Sequence, residues 1–251
     1  MGLVESEGLI LKSYGLAEAD KIVIILTRNE GLIRGVAQGA KRLKSRYGSS
    51  LELFSIVRIN YFQKEEKELV SFRQIEIIDS YFEKASDPKI LQIFSYLAEL
   101  LVEFAPPHDP NEKLFRMAKI CLETATNNSE SLDMIVFYFE LWILKLNGYL
   151  PDWKHCENCN KELNAGQNAE LQINFQLICD QCRKTRNRWT IGNEQRQIYN
   201  AAQHLAPVKF IEYCFEKVEA VRELSSILKR LISQILGKDT IVAKVLNANL
   251  L

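Results

Sequence analysis

Two CxxC pairs, Cys156-Glu-Asn-Cys159 and Cys179-Asp-Gln-Cys182, set four thiols on either side of a longer excursion. Two intervening residues let each pair turn back so that both sulfurs face one ion. Four thiolates at about 2.3 Å then close a tetrahedron and leave no position for water or substrate. The chemistry this points to is a structural Zn2+, with Cys156, Cys159, Cys179 and Cys182 as its ligands. A single CxxC is also the motif of a redox dithiol, but neither pair stands at the strand-to-helix junction of a βαβ unit. His155 abuts Cys156 and is a spare donor that four sulfurs make unnecessary. The remaining cysteines, Cys121 and Cys214, fall on apolar helical faces and read as small core residues.

The second feature with chemical content is a run of cations. Between Glu30 and Glu52 there is no acidic residue, yet the interval holds Arg34, Lys41, Arg42, Lys44 and Arg46. Most of them lie in the glycine-bounded stretch Gly39-Ala-Lys-Arg-Leu-Lys-Ser-Arg-Tyr-Gly48. This reads as a footing for a phosphate backbone, since loops of small barrels are where such contacts sit. A solvated loop that keeps a sheet edge from pairing is the bland alternative. Tyr47 is the aromatic expected to offer a face to a base, whereas Phe54 and at least one of Tyr61 and Phe62 are expected in the core. A second basic cluster, Arg183-Lys184-Thr-Arg186-Asn-Arg188, follows the last cysteine pair and is either a solvated face or an extension of the same track. Enzymatic signatures are missing: there is no Gly-Lys-Ser/Thr phosphate loop, GxSxG, HExxH or GxGxxG. His108, His155 and His204 lack nucleophile neighbours, and Glu65-Glu66 reads as a solvated turn. The expectation is a non-catalytic protein.

These residues need elements to position them. The chain has 251 residues, a quarter of them charged, and a formal net charge of zero, so only the distribution of charge bears on a polyanionic partner. No apolar run reaches membrane-spanning length and no secretion signal opens the chain, so a cytoplasmic protein is expected. β-rich runs at Glu7 to Leu11, Lys21 to Thr27, Gly31 to Gln38, Leu51 to Phe62 and Leu69 to Phe82, with turns at Asn29-Glu30-Gly31 and Glu65–Glu68, predict a five-stranded barrel. An OB type suits the size and count; an SH3-like barrel or open meander fits nearly as well. After about residue 83 the pattern turns helical. Ser86-Asp87-Pro88 starts one helix, with Ile90, Phe94, Leu97, Leu101 and Phe104 on a face, and His108-Asp109-Pro110 a second. Ser129 or Ser131 caps a third, apolar over most of its circumference and therefore central, with Ser131, Asp133, Glu140 and Lys145 on its polar strip. That helix ends at Gly148 and hands the chain to Cys156. Between the cysteine pairs Leu171, Ile173, Phe175 and Leu177 share one side of a predicted hairpin. Helices from Asn193, from Pro207 and along Leu224, Ile227, Leu228, Leu231, Ile232, Ile235 and Leu236 close the chain. The predicted class is α+β: an OB-type barrel over 1–82, then a helical domain over 83–251 with a zinc module inserted at 151–190.

Two stretches carry a family resemblance. Phe139-Glu-Leu-Trp-Ile-Leu-Lys-Leu-Asn-Gly-Tyr-Leu-Pro151 leading into Cys156-x-x-Cys159, and Gly35-Val-Ala-Gln-Gly-Ala-Lys-Arg42 followed by Lys44-Ser-Arg46, are similar to the RecO family of bacterial recombination mediators. The resemblance extends over essentially the whole chain and is looser from Lys238 to Leu251. It implies an N-terminal OB domain and a zinc-bearing helical domain. It implies binding to single- and double-stranded DNA, annealing of complementary strands and cooperation with RecR. It further implies help in loading the recombinase RecA onto DNA coated by single-strand-binding protein, whose acidic C-terminal tail the helical domain would bind. In that setting the protein would be nucleoid-associated. Two other classes stay open on the residues alone: a zinc-containing protein–protein adaptor, and an RNA-modifying factor with an OB appendage.

Overall fold

A computed structural model describes residues 2–63, 69–82, 87–164, 166–183 and 189–238, which pack as two compact units, 2–130 and 131–238. Five strands open the first unit: β1 (Gly2–Leu16), β2 (Asp20–Thr27), β3 (Gly31–Ala37), β4 (Ser55–Gln63) and β5 (Leu69–Ser80). The first three form an antiparallel meander. β3 then pairs with β5 in parallel, and β4 lies between β5 and β1, so the sheet closes in the order β1-β2-β3-β5-β4. This is the OB-type barrel that the strand count predicts. The expected turn at Glu65–Glu68 lies outside the described residues.

Alternation along the strands sends Ile10, Val23, Ile25, Ile33, Val57, Ile59, Tyr61, Val70 and Phe72 inward. The β3–β4 connection supplies the rest of the plug. It ends in a 3₁₀ turn at Gly48–Leu51 and drops Tyr47 and Leu51 into the same cluster. Tyr47 is 3% exposed and its phenol donates to the Phe72 carbonyl at 2.9 Å. The expectation that Tyr47 stacks on a base is therefore corrected: its ring fills the barrel and has no free face. Phe54 and Tyr61 are likewise buried, as expected of them, while Phe62 is 38% exposed.

Two helices complete this unit, α1 (Pro88–Phe104) and α2 (Glu112–Asn127). Asp87 caps α1 by accepting from the Lys89 amide, with Pro88 in the first turn. The expected Ser86 end of that cap lies outside the described residues, as does the connection near residue 83. Asn111, rather than the expected His108-Asp109-Pro110, caps α2, accepting from the Leu114 amide. Phe94 of α1 meets Phe54 edge-on at 5.1 Å between centroids. On α2, Lys119 pairs with Glu7 at 2.9 Å and Glu112 with Arg28 at 2.7 Å, both on the barrel. Between the helices the chain returns to β3, where the Leu32 amide donates to the Pro106 carbonyl and the His108 amide to that of Leu32. Gly31, at φ +67°, passes directly over the Asp109 backbone, where any side chain would collide.

The second unit is built on α3 (Leu132–Leu146). It is buried nearly all round, and its aromatic residues Phe137 and Tyr138 pack on Phe210 of α5 (Pro207–Cys214) at 5.9 and 5.6 Å. Glu140, expected on a polar strip, is instead fully buried. It accepts from Ser225 Oγ at 2.6 Å on α6 (Val218–Leu236), because two helices rather than solvent flank that face. Trp142 Nε1 and the Tyr138 hydroxyl donate to the carbonyls of Ala202 and Leu205, at the C-terminal end of α4 (Asn193–His204). Those carbonyls have no intrahelical amide to accept from, so α3 serves as a side-chain cap for α4. Among the described residues no helix is long and apolar enough to cross a membrane.

Replacing Tyr47 by alanine should remove about 3–5 kcal/mol of stability, as expected when a buried aromatic becomes a cavity. Tyr47→Phe should cost only about 1–2 kcal/mol, since its hydroxyl donates to the Phe72 carbonyl and accepts from Arg46. Denaturant titrations of the two variants check this; an alanine variant as stable as the parent would put the ring back at the surface.

Candidate nucleic-acid interface and metal centre

The cationic loop is tied down at its base and open at its top. Asp20, at the start of β2, accepts the Gly39 amide at 2.8 Å, and Gly39 itself turns at φ +71°. The Arg42 amide donates to the Gly39 carbonyl and the Ser45 amide to that of Arg42, making two successive turns. Lys41 reaches sideways: its amide donates to the Ala19 carbonyl, and its Nζ to the Ala17 carbonyl at 2.8 Å. A Cβ on Gly15 would stand 2.6 Å from that Nζ, so the glycine leaves room for the lysine. Arg46 donates to the Tyr47 hydroxyl and the Phe72 carbonyl, with its guanidinium 4.9 Å from the Tyr47 ring. Tyr47 is thus the anchor of the loop, and Arg46 lies against that anchor.

Arg34, Lys41, Arg42, Lys44 and Arg46 are all exposed. Among the described residues none of them forms an ion pair. Arg42, Lys44, Ser45 and Arg46 line an open recess of ≈ 500 Å³ with Gln38, Gly39 and Asp20. The one carboxylate lining the recess, Asp20, accepts the Gly39 amide and forms no ion pair among the described residues. What the arrangement offers chemically is a pinned turn with an excess of positive charge and N–H donors, suited to a polyanion.

Sequence pattern alone does not single out the sheet beside this loop. Register places Tyr14, Ile22 and Val36 in one row across β1, β2 and β3, with Lys12, Ile24 and Arg34 in the next. Directly paired residues share a face, and Tyr14 is 43% exposed. The signal for it is the period-two run Lys12, Tyr14, Leu16, all exposed, once the strand is known to extend to Leu16.

In the second unit the four predicted cysteines come together. Their sulfurs all lie within 4.8 Å of one another, with Cys159 and Cys179 at 3.8 Å. Sulfurs about 2.3 Å from a shared tetrahedral cation stand about 3.8 Å apart, so the set fits a metal. Two tight turns make the cluster: the Asn160 amide donates to the Cys156 carbonyl, and the Cys182 amide to that of Cys179. The Cys179 amide also points at Cys156 Sγ, 3.3 Å away. Burial raises the Cys156 thiol, but amides of Cys159, Cys179 and Asn158 outweigh it and bring it down to about 6. Cys182 goes the other way. The Asn158 side chain draws it down, yet the sulfurs of Cys159, Cys179 and Cys156 leave it raised to about 12. The two shifts run in opposite directions because the sulfurs share one small space, which a bound cation would charge-balance. His155 is not among the donors; its Nδ1 lies 2.8 Å from Asp152.

The cluster is held by a small sheet, β6 (Ala169–Leu171), β7 (Leu177–Cys179) and β8 (Thr190–Ile191) in the order β7-β6-β8. The predicted hairpin is there, and Leu171, Phe175 and Leu177 are buried. Ile173 is the exception at 92% exposure: Gln172 and Gln176 close a tight turn that carries it off the inward side. Arg196 of α4 donates to the carbonyls of Leu163, Asn164 and Gln167, stitching the module to the helix. Trp153 stacks on Tyr199 at 4.2 Å and donates to the Phe175 carbonyl. Arg183 faces Glu170 at 3.9 Å and Asp180 at 3.5 Å, so the start of the second basic cluster is compensated. The rest of that cluster, Lys184 to Arg188, lies outside the described residues.

Comparison with known proteins identifies both halves of the chain. The family model "Recombination protein O N terminal" matches residues 1–81, and "Recombination protein O C terminal" matches residues 85–241. The chain is 34% identical to the DNA repair protein RecO of Koribacter versatilis over 64% of its own length and 66% of the relative's. It is 30% identical to that of Clostridium novyi, over 74% and 71%, and 28% identical to that of Dehalococcoides mccartyi, over 72% and 70%. The matched part thus spans about two thirds of the relatives' length. With two domain models in sequence order across nearly all of it, this chain belongs to the RecO family.

Proposed function

We propose that this protein is a non-catalytic recombination mediator in DNA repair, whose β3–β4 loop holds the phosphate backbone of single- and double-stranded DNA. The observation that carries this reading is the pinned turn presenting Lys41, Arg42 and Lys44, which form no ion pair among the described residues, with Arg34 and Arg46 beside them. Charge of this kind binds phosphate without regard to sequence and releases counterions as it does so. The work is positioning: two strands held along one cationic surface can be brought into register and annealed. Family membership supports the partners RecR, single-strand-binding protein with its acidic C-terminal tail, and RecA indirectly, in a cytoplasmic, nucleoid-associated setting. In this reading the sequence domains are 1–82 for DNA and 83–251 for protein partners.

The metal in the second unit is Zn2+ in a structural role, held by Cys156, Cys159, Cys179 and Cys182. The module at 151–190 is too short to bury a core of its own, and its three short strands depend on the knot and on Arg196. Bound zinc would supply folding free energy there and no reaction step.

Changing Lys41, Arg42 and Lys44 together to alanine should weaken DNA binding across sequences. The slope of log affinity against log salt should fall by about 2 for single strands, at about 0.7 for each phosphate no longer neutralised. A salt-series titration with labelled oligonucleotide measures this; an unaltered slope would remove the loop from the interface. For the metal, elemental analysis should find one zinc per chain. Cys159→Ser should lower both zinc content and melting temperature while leaving the DNA salt slope in place. A chain that retains its melting temperature after chelation would refute the structural role.

A further inference from the structure

We infer that Leu43 is an apolar wedge that enters between neighbouring bases while the cations on either side of it hold their phosphates. Leu43 is the most exposed large hydrophobic residue among those described, at 104% of its reference area. It is not on a slack segment. The Ser45 amide donates to the Arg42 carbonyl, which puts Leu43 at the second position of that turn. Below it the Gly39 amide is held by Asp20 and the Lys41 ammonium by the Ala17 carbonyl. The turn therefore presents one branched apolar side chain at its apex, with Arg42 before it and Lys44 after it.

A loop needed only for charge or solubility would have a polar residue at that apex, where leucine leaves its whole surface in water. The surroundings narrow the partner. The recess beside the turn is lined by Asp20, Gln38, Gly39, Arg42, Lys44, Ser45 and Arg46, so the recess itself offers a protein anchor charge and hydrogen bonds and no apolar wall. Nucleic acid matches: it alternates anionic phosphates with flat apolar faces, and leucine is among the side chains that enter base steps and unstack them. Tyr47, buried in the barrel, cannot supply that contact. Partly unstacked bases are what a strand needs before it can pair with a new complement, so the wedge deepens the annealing role proposed above and rests on it.

The test uses the full chain and a single-stranded oligonucleotide carrying a fluorescent adenine analogue that is quenched while stacked. Wild type should brighten the analogue on binding. Leu43→Ser should abolish most of that rise and lower affinity at fixed salt roughly five- to tenfold, the low end of what one base stack is worth. Its salt slope should match wild type, because no charge has changed. Leu43→Phe should restore the rise. If Leu43→Ser brightens the analogue as wild type does, while the Lys41, Arg42 and Lys44 triple variant loses affinity, the wedge is overturned and the phosphate cradle stands. If the triple variant also binds as wild type, with an unaltered salt slope, the loop is not the DNA contact and both readings fall. Loss of binding to a protein partner in Leu43→Ser, with brightening retained, would assign the side chain to that partner and overturn the wedge.

Discussion

Burial of the Tyr47 ring in the barrel, oriented by the hydrogen bond from its phenol to the Phe72 carbonyl, decides the character of the N-terminal unit. It forces the long β3–β4 connection to fold back into the barrel. With Leu51 as the second inward anchor, the connection closes one part of the core. What remains between β3 and Tyr47 is short enough to be fixed by a handful of backbone bonds; of its apolar side chains Ala40 packs against the core while Leu43 stays outside. The cations have only the outside left to them. The positive surface is thus a by-product of core packing, pinned to the barrel through Asp20 and the backbone of Ala17 and Ala19.

The second unit solves a different problem: its segments are short and end often, and each end leaves backbone groups without partners. Side chains from neighbouring elements supply them. Trp142 and Tyr138 serve the end of α4, Arg196 serves three carbonyls of the cysteine module, and Trp153 and Tyr199 serve Phe175 and Pro151. A buried guanidinium with carbonyls and no carboxylate is a costly choice in isolation. Here it joins pieces of chain too small to hold together through apolar contact alone. The four thiols gather in the same small module.

Much of this is legible in the sequence. Four cysteines at metal spacing, a glycine-bounded basic stretch and five β-rich runs before the first helix cap define the class, the strand count and the thiols that gather in one cluster. The errors share one cause, which is that periodicity reports local faces and not what lies opposite them. Glu140 sits on a nominal polar strip that α6 covers. Ile173 belongs to the alternating pattern but falls where the chain turns. Tyr47, in a polar loop, looks solvent-facing until the barrel is closed above it. Tyr14 escapes notice because β1 continues through a bulge between Ile10 and Lys12, which disguises its period.

The tether of Lys41 to the Ala17 carbonyl has an entropic consequence. A free lysine side chain samples many rotamers and loses about 2 kcal/mol of that freedom when a ligand fixes it. Here most of the restriction is already present before any strand arrives, since one of three ammonium protons is engaged and the stem lies along Gly15. The ammonium keeps two donors and its full charge pointing outward. An anion that reached this ammonium would find it already in place, with less freedom left to lose on contact.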